Sequence, residues 1–126
     1  MLVVDASAVA EILLGTAKGR VAASLLGDQV LIAPQHLSVE VMSVLRGWSL
    51  SGRLTEEEAL TAIIEFRALG IELVPMDDLL PEVWRLRHNI SAYDACYVVL
   101  ARACRCQLLT LDTRLASNAP DCAMSV

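Results

Sequence analysis

Four short, largely apolar runs, Leu2–Val4 and residues 30–33, 71–74 and 108–111, punctuate the chain, and each is followed by a longer stretch of a different period. Runs of three or four residues without polar alternation read as strands buried on both faces, the habit of parallel sheets. The stretches between them repeat apolar residues at helical spacing. Residues 8–14 and 21–26 read as helix, as does Leu37–Leu50, where Leu37, Val41, Val44, Leu45 and Trp48 share one face. Pro34 stands where a helix can begin. Thr55 followed by Glu56, Glu57 and Glu58 is an N-terminal helix signature that opens a helix to about residue 69, where Gly70 ends it. Further helices are expected over residues 79–87 and 91–105, and a last edge strand over 123–126. Strands alternating with helices in this way imply right-handed crossovers and a three-layer α/β/α sandwich around a central, mainly parallel sheet. A chain of 126 residues with 56% hydrophobic content is enough for one such domain, residues 1–126, and too short for two.

Composition narrows what this domain can do. Mean hydropathy is high at +0.54, yet no stretch reaches the ~18 consecutive apolar residues of a membrane span. The surplus apolar surface therefore points to an oligomer or a partner interface. Asp5 and Glu11 interrupt the first apolar run where a secretory leader is uncharged, so a cytoplasmic protein is expected. Cys96, Cys104, Cys106 and Cys122 form no C-x2-C pair, and His36 and His88 have no partner at ligand spacing; both sets read as ordinary packing and surface residues. The net charge is −5, against the basic balance of proteins that bind nucleic acid by charge alone. Lys18 is the one lysine beside nine arginines, so any phosphate partner must be met by local arginines or by metal ions.

Four acids stand where such ions would sit. Asp5 ends the first strand and Asp112 follows the fourth, and in an open α/β sheet ligands gather at these carboxyl ends, near the point where strand order reverses. Glu40 projects from the edge of the apolar stripe of its helix, a costly place for an unpartnered acid. Asp94 opens the helix that leads back to the fourth strand. Singly, each has a plainer reading. Asp5 and Asp112 suit helix caps, Asp94 completes a capping box with Ser91, and Glu40 suits a salt bridge. Together, four carboxylates from four segments converge on one end of one sheet. All-oxygen donors suit Mg²⁺ or Mn²⁺. Ser7, two residues beyond Asp5, is either a hydroxyl that holds a carboxylate or a helix cap.

The segments Val3-Val4-Asp5-Ala6-Ser7-Ala8, Ser38-Val39-Glu40-Val41, Ala92-Tyr93-Asp94-Ala95-Cys96-Tyr97-Val98-Val99-Leu100-Ala101 and Leu109-Thr110-Leu111-Asp112-Thr113-Arg114-Leu115-Ala116 resemble the PIN-domain family, and most of all its VapC-type toxins. The likeness runs from the first strand to the last. It implies a metal-dependent ribonuclease whose acidic site is Asp5, Glu40, Asp94 and Asp112, with Mg²⁺ or Mn²⁺ as cofactor. It also implies a homodimer and a VapB-like antitoxin whose C-terminal segment covers the site. Arg114, with Arg85 or Arg87, is a candidate for contact with the RNA backbone; the alternative is solvated surface charge. Asp121 is either a further acid of the site or a loop residue. Transfer through an aspartyl-phosphate is the rival enzyme class, but it wants a lysine near the site and an aspartate two residues after the first, where this chain has Ser7. The other rival is a silent PIN-like module that binds RNA or protein without cutting; the presence of all four acids counts against it.

Overall fold

The computed structural model describes residues 1–126. Five strands, β1 (Leu2–Val4), β2 (Leu31–Pro34), β3 (Glu72–Val74), β4 (Gln107–Thr110) and β5 (Ala123–Ser125), form one sheet in the order β3-β2-β1-β4-β5. Every pairing is parallel. The chain moves outward from β1 to β2 and β3, then crosses to the other side of β1 for β4 and β5. Strand order therefore reverses between β1 and β4, the position at which an open α/β sheet leaves a crevice.

Right-handed crossovers place the helices accordingly. The leftward steps carry α1 (Ala6–Leu14), α2 (Ala17–Leu26), α3 (Leu37–Leu50) and α4 (Glu56–Ala68), which pack on one another. The return carries α5 (Leu80–Arg85), α6 (Ala92–Cys104) and α7 (Thr113–Asn118) on the opposite face, with α6 lying across β1, β2 and β4. The result is the three-layer α/β/α sandwich. Leu2, Val3, Val4, Leu108 and Leu109 are almost wholly buried at its centre, as are Tyr97, Val98 and Leu100 of α6. No helix is long and apolar enough to cross a membrane.

The elements differ from the sequence reading in five places, each for a local reason. β3, read as a strand buried on both faces, lies at the edge of the sheet with Glu72 and Leu73 exposed. Pro34 closes β2 and starts no helix; α3 begins three residues later, after a turn. The helix expected from residue 21 starts at Ala17, capped by the Thr16 hydroxyl, which accepts from the Gly19 N–H at 3.0 Å. The helix expected over 79–87 is a 3₁₀ turn, Asp77–Leu79, followed by α5. The short α7 lacks the length to show a period. At α4 the expectation holds in detail: the Thr55 hydroxyl accepts from the Glu58 N–H at 3.1 Å, and Glu58 accepts from the Thr55 N–H at 3.0 Å.

Candidate active site

Asp5 leaves β1 as the N-cap of α1. Its Oδ1 accepts from the Ala8 N–H at 3.0 Å and from the Ser7 hydroxyl at 2.6 Å, and its Oδ2 accepts from the Thr110 hydroxyl. These donors fix a carboxylate that is only 4% exposed. Burial, with the nearby charge of Asp94 adding to it, pushes the Asp5 carboxyl up to about 6, against the pull of its three hydrogen bonds. Ser7 caps nothing. It donates to Asp5 and accepts from the Leu111 N–H at 2.9 Å, tying the end of β1 to the end of β4.

Asp112 leaves β4 as the N-cap of α7, with its Oδ1 accepting from the N–H groups of Arg114 and Leu115 at 2.9 and 3.2 Å. Capping and a place at the rim are thus compatible, because the cap uses one carboxylate oxygen and fixes the direction of the other. Asp94 lies in the first turn of α6, where its N–H donates to the Ser91 hydroxyl at 3.2 Å. Partial burial raises its carboxyl, and the charge of Asp112 raises it further, while Ser91, Arg114 and His36 pull it back. Glu40, in the first turn of α3, accepts from the Tyr97 hydroxyl at 2.6 Å through Oε1, and the same oxygen lies 3.2 Å from His36 Nε2. Burial and the bond to Glu40 raise the Tyr97 hydroxyl far above the ordinary tyrosine range, so it remains a donor.

The structure therefore brings Asp94 within charge range of both Asp5 and Asp112 at the switch between β1 and β4, with Glu40 held nearby by Tyr97. Asp121 is elsewhere, in a two-point pair with Arg102 at 2.9 Å for each bond. Arg85 faces a separate cleft with Glu82 and Arg102. Two residues of the site, Thr110 and Tyr97, carry no assignment in the sequence reading, and His36, read as an ordinary surface residue, belongs with them. Thr110 is fully buried yet polar, Tyr97 holds Glu40, and His36 spans Glu40 and the Tyr93 carbonyl, the latter at 3.2 Å. The available signals were a hydroxyl inside an apolar strand and a histidine four residues before Glu40.

Carboxylates that raise one another's pKa by charge form a place where a cation is favourable. The donor set is all oxygen, which fits a hard divalent ion. No three of the acids, histidines or cysteines stand close enough together to cage a bare ion.

Acids that follow β1 and β4 at the strand-order switch, with others in the first turns of α3 and α6, define the class. The PIN domain model matches residues 2–119, and the chain belongs to the PIN-domain family. Among characterised members it is similar to ribonuclease VapC9 of Mycobacterium tuberculosis, with 36% identity over 94% of this chain and 91% of that one. Ribonuclease VapC1 of the same organism is 42% identical over 91% of this chain and 88% of its own. The fold is also shared with a toxin–antitoxin complex from Klebsiella pneumoniae, at a TM-score of 0.65 and 16% identity, covering 99% of this chain and 97% of that one.

Proposed function

We propose that residues 1–126 act as one PIN-like domain, an endoribonuclease toxin of the VapBC type that hydrolyses phosphodiester bonds in tRNA or another structured RNA. The observation that carries this reading is the buried Asp5 carboxylate, held by Ser7, Thr110 and the Ala8 N–H beside two further aspartates. Its kinship with VapC9 and VapC1 supports the same activity.

Asp5, Glu40, Asp94 and Asp112 would hold Mg²⁺ or Mn²⁺ between them, some directly and the others through its waters. When bound, such an ion polarises the phosphate, lowers the pKa of an attacking water and stabilises the departing oxygen. The chain itself supplies orientation. Ser7 and Thr110 prevent the Asp5 carboxylate from rotating, Tyr97 and His36 do the same for Glu40, and the caps of α1 and α7 set the spacing across the crevice.

The reading also makes the chain a cytoplasmic homodimer silenced by a VapB-like antitoxin. Support comes from apolar surface left open: Val39 and Met42 on α3, and Leu60 and Ile64 on α4, are between 45% and 72% exposed. The test is a cleavage assay of the antitoxin-free protein on total tRNA and structured RNAs, in Mg²⁺, in Mn²⁺ and in EDTA, with Asp94→Asn as the control. Discrete products are expected with either metal, none in EDTA, and recovery when metal is restored. Cleavage that persists unchanged in EDTA would refute a metal-dependent site.

A further inference from the structure

His36 occupies the N-cap position of α3, yet its ring makes no bond to the open N–H groups of that helix. It turns instead to the other helical layer. Its Nε2 lies 3.2 Å from the Tyr93 carbonyl oxygen in the first turn of α6, and 3.2 Å from Glu40 Oε1 in its own helix. A carbonyl oxygen and an ionised carboxylate oxygen can only accept. Nε2 must therefore carry a proton, shared between the two, whatever the state of Nδ1. Two edge-on aromatic neighbours hold the ring in that attitude, Tyr93 at 5.7 Å and Tyr97 at 5.2 Å between centroids.

The bond to Tyr93 is surplus to α6. Inside an α-helix each carbonyl already accepts the N–H four residues on, and it has a second lone pair to offer. Glu40 likewise keeps the Tyr97 hydroxyl. Removing the imidazole thus strands no acceptor, and what it removes is a tie across the end of the sheet. α3 packs on α1 and α4, whereas α6 packs on α5 and on β1, β2 and β4. The first turn of α3 carries Glu40, and the first turn of α6 carries Asp94, the residue after Tyr93. His36 is also among the groups whose charge pulls the Asp94 carboxyl down, so a single ring acts on acids of both helices.

We propose that His36 is a positioning residue that sets the separation of Glu40 and Asp94, its Nε2–H strapping the first turn of α3 to the Tyr93 carbonyl of α6. The proposal rests on the metal-dependent nuclease reading above and goes beyond it, since ion affinity then depends on a histidine and a backbone carbonyl that need not touch the ion. An octahedral ion tolerates little error in the placing of its donors. Loss of a partner that orients them commonly changes metal affinity by roughly 10–100-fold.

The test compares wild type with His36→Gln, His36→Asn and His36→Ala. A glutamine amide reaches about as far as Nε2, whereas an asparagine amide stops near the place of Nδ1, so the glutamine alone can donate to Glu40 and Tyr93. Mn²⁺ titration of the RNA-free protein reads affinity, cleavage at graded Mn²⁺ reads half-saturation and kcat, and thermal unfolding in EDTA reads the fold. His36→Ala and His36→Asn are expected to weaken Mn²⁺ binding on the order of tenfold and to raise half-saturation alike, with most of kcat recovered at saturating metal. His36→Gln should restore most of the affinity. In metal-free wild type at about pH 8.5, proton–nitrogen correlation spectra of the ring, assigned by the signals that His36→Gln removes, should place the proton on Nε2. A ring protonated on Nδ1 alone overturns the proposal without recourse to any variant's affinity. Equal Mn²⁺ affinities for wild type and His36→Ala, or for the glutamine and asparagine variants, overturn it too. If the variants rank as expected yet wild type cuts no RNA with any metal, the strap stands and the nuclease reading falls. If wild type cuts with metal and His36→Ala binds Mn²⁺ unchanged, the reverse holds.

Discussion

Replacing Asp5 by asparagine should reduce RNA cleavage by on the order of 10³-fold or more, while leaving the metal-free fold at least as stable at neutral pH. The activity loss follows from removing a negative oxygen where the proposed divalent ion would contribute several kcal/mol to the transition state. The stability effect has the opposite sign because Asp5 is strained by its own charge. Its carboxyl is raised from 3.8 to about 6 by burial, so the folded state holds the proton more tightly than the unfolded chain. Ionisation then costs the fold nothing below pH ~4, a growing amount between ~4 and ~6, and about 3 kcal/mol above that. Asparagine keeps an oxygen for the Ala8 N–H and the Ser7 hydroxyl, and the Thr110 hydroxyl can turn to accept. In EDTA the variant should therefore gain up to about 3 kcal/mol at pH 7 and almost nothing at pH 4, as read by urea denaturation. A variant that cuts at the wild-type rate would remove Asp5 from the site. One that unfolds far more easily at pH 7 would show that the carboxylate serves the fold.

The second large effect lies away from the chemistry. At Gly19 a Cβ would stand 1.9 Å from the Glu11 carbonyl oxygen and 2.4 Å from its carbon. Both are backbone atoms of α1, so no side chain can swing aside, and α2 must retreat from α1. Gly19→Ala is expected to cost about 3 kcal/mol or more, a large part of the ~5–15 kcal/mol available to a small domain. Gly47→Ala is the control. That glycine lies inside α3 with nothing within 4 Å of the added carbon, and its replacement should stabilise by roughly 1 kcal/mol. Equal urea midpoints for the two variants would mean that the close approach of α1 and α2 carries no stability.

Gly19 also shows why part of the fold was hidden in the sequence. A glycine between Lys18 and Arg20 argues against a helix, yet α2 runs through it because only a glycine lets the two helices touch. The buried strands β1, β2 and β4 were legible because their apolar runs are short and unalternated, whereas the same signal overstated β3, whose edge position depends on strand order; α4 was legible because both halves of its capping box are written in the residues. Asp5 and Asp112 could be placed at the rim because each ends a strand. Their supports could not be placed. Thr110 looks like any β-former in an apolar run, and Tyr97 like any core aromatic on an apolar helix; that each hydrogen-bonds an acid depends on strand order and on contacts spanning 105 and 57 residues. Of the two readings of Ser7, the hydroxyl that holds a carboxylate is the one whose bonds are present, since the cap is Asp5 itself.

The span from Asp5 to Thr110 matters for how such a chain is made. During synthesis the ribosome releases Asp5 and Glu40, with the near neighbours Ser7 and His36, long before the distant residues that complete their hold: Tyr97 comes from α6, and Thr110 from the fourth strand to emerge. A nascent chain lacking its last third has half of the acids and no β4 to form the crevice wall. Strand pairing at this sequence distance is late and entropically costly. The order of translation thus delays assembly of the site until nearly the whole chain has left the machinery that made it.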